Sequence, residues 1–142
     1  VIKIALNERV DGAKHFYWGE FLHLTSWGFA AFPDREQYHN LIKVAGVMDE
    51  IRAILGNEPI RVTSGLRPKP YNKLIGGSHF SRHMRGMACD FVHSTMSADL
   101  VREALLPYLD DLNIRMENLP GASWTHIDIS QPGLHGRRYF KP

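Results

Sequence analysis

Two histidines and one aspartate carry the clearest chemistry in this chain. His83 and Asp90 stand seven residues apart with Gly86 between them, and His126 follows 36 residues after Asp90. Two imidazoles and a carboxylate are the smallest protein set for a catalytic zinc, which keeps its fourth position open to water. The chain has eight histidines, and any one of them is more often a surface or hydrogen-bonded core residue than a ligand. His15, His23, His39, His93 and His135 are read that way.

The surrounding elements decide whether the three can meet. Met87 to His93 reads as a strand, which puts Asp90 on one pleat face with Ala88 and Val92. Gly86 permits a sharp turn just before it, and a tight return brings His83 beside Asp90. Leu112–Asn118 and Trp124–Ser130 read as two strands joined by Leu119-Pro120-Gly121-Ala122-Ser123, a hairpin signal. His126 sits mid-strand in the second arm, with Asp128 on the same face. If the 87–93 strand neighbours that arm, His83, Asp90 and His126 converge on one ion.

The rest of the chain supplies the body. Pro33-Asp34 marks a turn and a helix start. Leu41, Val44, Ala45, Met48, Ile51, Ile54 and Leu55 then form one apolar stripe of a helix over 35–56, with Gly56 as its stop. Ile60–Ser64 alternates as a strand, and Gly65 to Ser78, with two prolines and three glycines, is loop or broken helix. Tyr17, Phe21 and Leu24 fit one face of a short helix. Ser97 caps a helix over 98–106 with Leu100, Val101, Ala104 and Leu105 inward, and Pro107 ends or kinks it. Val1 to Leu6 alternates, so residues 1–15 are an edge strand or a tail. Arg138-Tyr139-Phe140 adds a last short strand. Helices followed by adjacent antiparallel strands predict an α+β fold, a small antiparallel sheet packed with helices in a single domain over 1–142.

Composition bounds the partners. A chain of 142 residues buries a core without staples. The net charge of +2 is slight, and Arg137-Arg138 with Lys141 is the nearest approach to a basic run, so no nucleic-acid partner is expected. No apolar run reaches the length of a membrane span, and no signal-peptide pattern opens the chain. A first residue of Val1 rather than Met is compatible with a removed leader. Cys89 is the one cysteine, so no disulfide forms within the chain.

The string Ser81-x-His83-x-x-Gly86-x-Ala88-x-Asp90, followed by Trp124-x-His126-x-Asp128, resembles the zinc D-alanyl-D-alanine peptidases. This group spans carboxypeptidases, murein endopeptidases and phage endolysins. Thr63-Ser64-Gly65-Leu66-Arg67-Pro68 is similar to its Ser-Gly-aromatic-Arg segment, with Leu66 in place of the aromatic. Asn72 and Gly76-Gly77 match its loop. Phe16-x-Trp18-x-Glu20-Phe21 and the Asn40-Leu41 helix resemble the N-terminal part of one branch, so the likeness covers most of residues 16–130. It implies the hedgehog/DD-peptidase fold and one zinc ion held by His83, Asp90 and His126. It also implies that Arg67 holds the substrate carbonyl or carboxylate and the charge of the tetrahedral intermediate, a task suited to a permanent planar fork of donors. Ser81 is implied to bind substrate or orient a ligand, with a plain turn cap as the alternative. A peptidoglycan stem peptide or cross-bridge is the implied substrate, and a monomer is expected. The implied location is the bacterial cell envelope or a phage-encoded lytic protein.

One departure from the family pattern matters. Many members carry a carboxylate three residues before the last His ligand as general base; here Ser123 stands there and cannot deprotonate a water. Glu117, in the preceding hairpin strand, is expected to reach across as the catalytic base. An ordinary exposed strand glutamate is the bland alternative. Asp128, on the same face as His126, is the second acid that could take the base role, or else it orients a ligand from behind. If neither acid serves, the chain is a non-catalytic zinc module of the same fold, as the hedgehog signalling domain is. A non-haem iron oxygenase would use the same ligand types, but on a jelly roll with more strands. A metal-dependent nuclease would need a basic stripe.

Overall fold

A computed structural model of the chain describes residues 2–142. Residues 1–15, expected as an edge strand or a tail, form no strand among the described residues, and Val1 lies outside them. Glu8 N–H bonds back to Ala5, and the Leu6 carbonyl accepts from Gly19, so these backbone groups are spent on turns and on the next helix. Val10 is buried, and Asp49 accepts from the backbone of Lys14 at 2.6 Å and of His15 at 3.1 Å. The segment is docked on the body rather than trailing from it.

Helix α1 (Trp18–Leu22) is shorter than its sequence pattern suggested. It buries Trp18, Phe21 and Leu22, while Leu24 enters the core from β1 (His23–Leu24), which pairs antiparallel with β2 (Phe29–Ala30). Helix α2 (Arg35–Ile54) starts on a reciprocal cap in which Asp34 and Gln37 each accept the other's backbone N–H. Its stripe of Leu41, Val44, Ala45, Met48 and Ile51 is buried as expected. Strand β3 (Ile60–Ser64) leads into α3 (Lys69–Leu74), which begins just after Pro68.

Strand β4 (Ala88–His93) is buried on both faces except at Val92. Helix α4 (Ala98–Leu105) is capped by Ser97, whose Oγ accepts from Leu100 N–H. Its inward face differs from expectation: Leu100 is 54% exposed and Arg102 only 3%. Arg102 is drawn in because it reaches the carbonyls of Ala122 and Trp124 at 3.1 and 2.7 Å and pairs with Asp99. A 3-10 turn at Pro107 and the one-turn helix α5 (Leu109–Leu112) replace the start of the strand expected from Leu112. Strands β5 (Arg115–Glu117), β6 (Thr125–Asp128) and β7 (Tyr139–Phe140) complete the chain.

Five strands form one sheet in the order β3-β4-β6-β5-β7. All pairings are antiparallel except β5 with β7, so the α+β fold holds and its main sheet is mixed at one edge. Leu41 and Met48 of α2 and Phe91, Met116 and Ile127 of this sheet belong to one buried apolar cluster. At the other edge the β3–β4 register slips: Val62 pairs with Phe91, but Ser64, not Thr63, pairs with Asp90. That bulge leaves Thr63 as an extra residue, bends the strand and re-aims its exit toward Gly65 and Arg67. Among the described residues, no helix is long and apolar enough to cross a membrane.

Candidate metal centre

The sheet register assembles the site as a row of residues. Ser64 pairs with Asp90, and Asp90 pairs with His126. The β5–β6 register pairs Met116 with Ile127, so one step further sets Glu117 opposite His126; Glu117 in turn pairs with Phe140. Directly opposed residues in antiparallel strands share a face. Ser64, Asp90, His126 and Glu117 therefore lie side by side across four strands.

His83 joins them from outside the sheet. Gly86, at φ +70°, closes the 3-10 turn Arg82–Arg85 and turns the chain into β4. This fold-back sets His83 Nε2 3.1 Å from Asp90 Oδ1. The other ring nitrogen, Nδ1, lies 2.7 Å from the Gly65 carbonyl. A carbonyl only accepts, so Nδ1 carries the hydrogen and Nε2 presents its lone pair to the site.

His126 is held the same way. Its Nε2 faces Asp128 Oδ2 at 3.0 Å, and its Nδ1 lies 2.8 Å from Asp90 Oδ1. Asp128 is fully buried, and it accepts from Ser130 N–H and Oγ and from the Arg115 guanidinium. Ligands about 2.0–2.1 Å from a tetrahedral zinc sit about 3.3 Å apart. One ligand atom each from His83, Asp90 and His126 falls within 4.8 Å of the others, a group that could hold a metal ion. The donor set fits a divalent cation, and each imidazole carries the outer hydrogen bond that such ligands use.

Charge and burial agree with a cation site. Burial alone would raise the Asp90 carboxyl, but His83 and His126 outweigh it and hold it far below the usual carboxylate range. Asp128 is likewise driven down, burial being overcome by His126, Arg115 and Ser130. Burial lowers His83. It acts on His126 in the same sense, yet the bonds to Asp128 and Asp90 lift that imidazole to about 9. The two carboxylates on either side of His126 thus favour positive charge at this point of the site.

Residues 14–128 match the family model for Peptidase M15. The chain belongs to this family. It is a family of metallopeptidases, and the match spans His83, Asp90 and His126. No curated protein matches the chain.

The remaining residues singled out in this M15 chain divide between the metal group and other parts of the surface. Arg67 donates Nε to Ser64 Oγ at 2.9 Å and Nη2 to Asp90 Oδ2 at 3.0 Å. It lines a cavity of about 420 Å³ together with His83, Asp90, His126 and Glu117. Burial lowers the Arg67 pKa against the pull of Asp90 and of Glu117. Ser81 also lines this cavity, while its Oγ accepts from His83 N–H at 3.3 Å as a turn cap. Ser123 is exposed and lines a different cavity with His93 and Asp99. His93 spends Nδ1 on the backbone N–H groups of Thr95 and Met96, away from the three-residue group.

Four participants escaped the sequence reading. Arg115 and Ser130 have the strand parity of Glu117 and Asp128, so period-two alternation could have flagged them. The Gly65 carbonyl has no side-chain signal at all. Phe140 is brought in by the parallel β5–β7 pairing, which no local pattern announces.

Proposed function

We propose that this protein is a zinc-dependent metallopeptidase that hydrolyses amide bonds in peptidoglycan stem peptides or cross-links, as a D,D-carboxypeptidase or endopeptidase. The observation that carries the catalytic reading is that Glu117 lines the same cavity as His83, Asp90 and His126. It puts a carboxylate beside the candidate ligands although Ser123 occupies the position where many relatives carry an acid. The substrate class follows from the resemblance of the Ser81–Asp90 and Trp124–Asp128 strings to peptidoglycan peptidases. It also suits a cell-envelope or phage lytic setting and action as a monomer.

In this reading His83, Asp90 and His126 would hold the ion, one ligand atom from each. Two imidazoles and one carboxylate with a vacant fourth position are the donor set of catalytic zinc. Bound there, zinc supplies a Lewis acid that acidifies water and polarises a carbonyl. Glu117 accepts the proton of the attacking water on its carboxylate and returns it to the leaving amine nitrogen. Arg67 keeps Nη1 free of hydrogen bonds to the described residues, and this N–H group faces the negative charge that grows on the carbonyl oxygen. Ser81 holds the turn that carries His83 and offers its hydroxyl to substrate at the cavity wall. Asp128 keeps His126 in the ligating tautomer.

The test uses purified protein loaded with one equivalent of zinc and cross-linked muropeptides, with products separated by chromatography. Cleavage is expected, with loss in chelator and return on adding zinc. Glu117→Gln should bind zinc normally and lose about 10²–10⁴-fold in rate. A wild-type protein that binds zinc and cleaves neither cross-links nor terminal D-alanine refutes the assignment. Elemental analysis showing iron in the native protein refutes the choice of metal.

A further inference from the structure

The ligand geometry accounts for Asp128 but leaves unexplained what holds Asp128. Arg115 donates Nε to Asp128 Oδ1 and Nη2 to Asp128 Oδ2, each at 2.9 Å, a two-pronged grip that fixes the plane of the carboxylate. The open face of this guanidinium is covered by Phe140, whose ring centroid lies 4.1 Å from Arg115 Cζ. The same ring meets His126 edge-on, with centroids 6.1 Å apart and an angle of 84° between planes. Ring, guanidinium, carboxylate and imidazole thus form one packed series that ends on a candidate ligand atom.

Phe140 lies beyond residue 128, where the family match stops. It is nevertheless firmly placed. Met116 N–H donates to the Arg138 carbonyl at 2.7 Å and Asn118 N–H to the Phe140 carbonyl at 2.6 Å. The Arg138 side chain is tied to Asp110, Asn113, Ile114 and Gln131. A cation over a ring face is bound more tightly when water is kept off it, and the carboxylate pairing beneath gains from the same exclusion.

We infer that Arg115, held under Phe140, is a positioning residue that fixes His126 in its ligating orientation, and that residues 138–140 are a working part of the metal centre. Two plainer roles fit less well. A substrate anchor would keep its fork free, whereas Arg115 spends Nε and Nη2 on Asp128. A core filler would be buried, whereas Phe140 is half-buried and lines the cavity that holds the candidate ligands.

The inference rests on the proposed metal site, so wild-type protein is titrated first with Zn²⁺ and Co²⁺ against a competing chelator, and one ion per chain is expected. Arg115→Met should weaken the affinity about 10–100-fold, and Arg115→Lys should recover only part of this, because a point charge cannot grip both oxygens. Phe140→Leu keeps an apolar cover without a ring face and should weaken binding about three- to tenfold, while Phe140→Tyr restores it. The visible spectrum of the Co²⁺-loaded protein should change in the Met and Leu variants, reporting an altered ligand geometry. A purely structural role predicts lower urea midpoints with unchanged affinity and spectrum in the folded variants, and that outcome overturns the inference. Uptake of no divalent metal by the wild type removes the proposed metal site itself. Normal uptake by wild type and variants alike removes only the part assigned to Arg115 and Phe140.

Discussion

Gly65→Ala should damage the proposed metal site without touching a candidate ligand. Gly65 lies between β3 and Arg67, and its carbonyl accepts from His83 Nδ1 at 2.7 Å. A Cβ there would stand 2.6 Å from Phe21 Cα and 2.8 Å from the Phe21 carbonyl carbon, and closer still to the carbonyl oxygen. These are backbone atoms of the buried helix α1, so no side-chain rotation relieves the clash. Ordinary contact begins near 3.4 Å, so the segment must withdraw by about 1 Å to clear the carbonyl oxygen. Overpacking of this kind costs about 1–3 kcal/mol. A shift of that size along the hydrogen bond stretches it to about 3.7 Å, past the limit at which such a contact still counts. His83 then loses its outer partner, a change that typically costs 10–100-fold in metal affinity. Urea unfolding reads the first effect, and chelator competition on the folded protein reads the second. Gly46→Ala is the control: its Cβ meets nothing on the exposed side of α2, and it should stabilise by about 0.5–1 kcal/mol. A folded Gly65→Ala protein with wild-type metal affinity would refute the role given to the Gly65 carbonyl.

Other perturbations give equally definite outcomes. His126 is raised to about 9 in the metal-free protein, so its stabilising contribution is complete below the unfolded value of about 6.5 and is lost as pH rises through about 9. Zinc must displace that proton, so the apparent affinity should climb about tenfold per pH unit from 7 toward 9 and then level off; calorimetry in buffers of different ionisation enthalpy checks it, and a flat profile contradicts it. Arg102→Ala removes a buried guanidinium from the carbonyls of Ala122 and Trp124 and should cost about 3 kcal/mol by denaturant unfolding, with the 119–124 loop losing amide protection. Cys89 is fully buried and burial pushes its thiol well up, so a thiol reagent should modify it only at the rate of unfolding.

Much of this was legible in the residues because it is written in short-range periods. The α2 stripe follows 3.6-residue spacing, and Pro33-Asp34 marks its start. The Ser81–Asp90 string was readable because Gly86 permits the left-handed turn that folds His83 onto Asp90. What failed to show was set by tertiary context. Leu100 and Arg102 exchanged their expected sides because the carbonyls of Ala122 and Trp124 need a donor, and that need exists only once the loop is docked. The segment before Val10 alternates like a strand, yet its backbone groups are consumed by turns and by Gly19. The short last strand expected at Arg138-Tyr139-Phe140 forms as β7, but its parallel pairing with β5, which brings Phe140 to the site, depends on a return from the far end of the chain. Local spacing could suggest Glu117 as a base, but only the β5–β6 register sets it beside His126.

The bulge at Thr63 gives this site a dependence on chain length that side-chain chemistry hides. Thr63 is exposed, and replacing it with alanine removes nothing from the cavity. Deleting it is a different event. Ser64 can still pair with Asp90 in a plain ladder, so the edge strand survives in a straighter form. The chain then leaves toward Gly65 and Arg67 along a new direction, and two groups aimed at His83 and Asp90 move together. Scanning by substitution would score Thr63 as dispensable, whereas scanning by deletion would place it among the most sensitive positions. Losing Thr63 should therefore disturb the site far more than exchanging it for another residue.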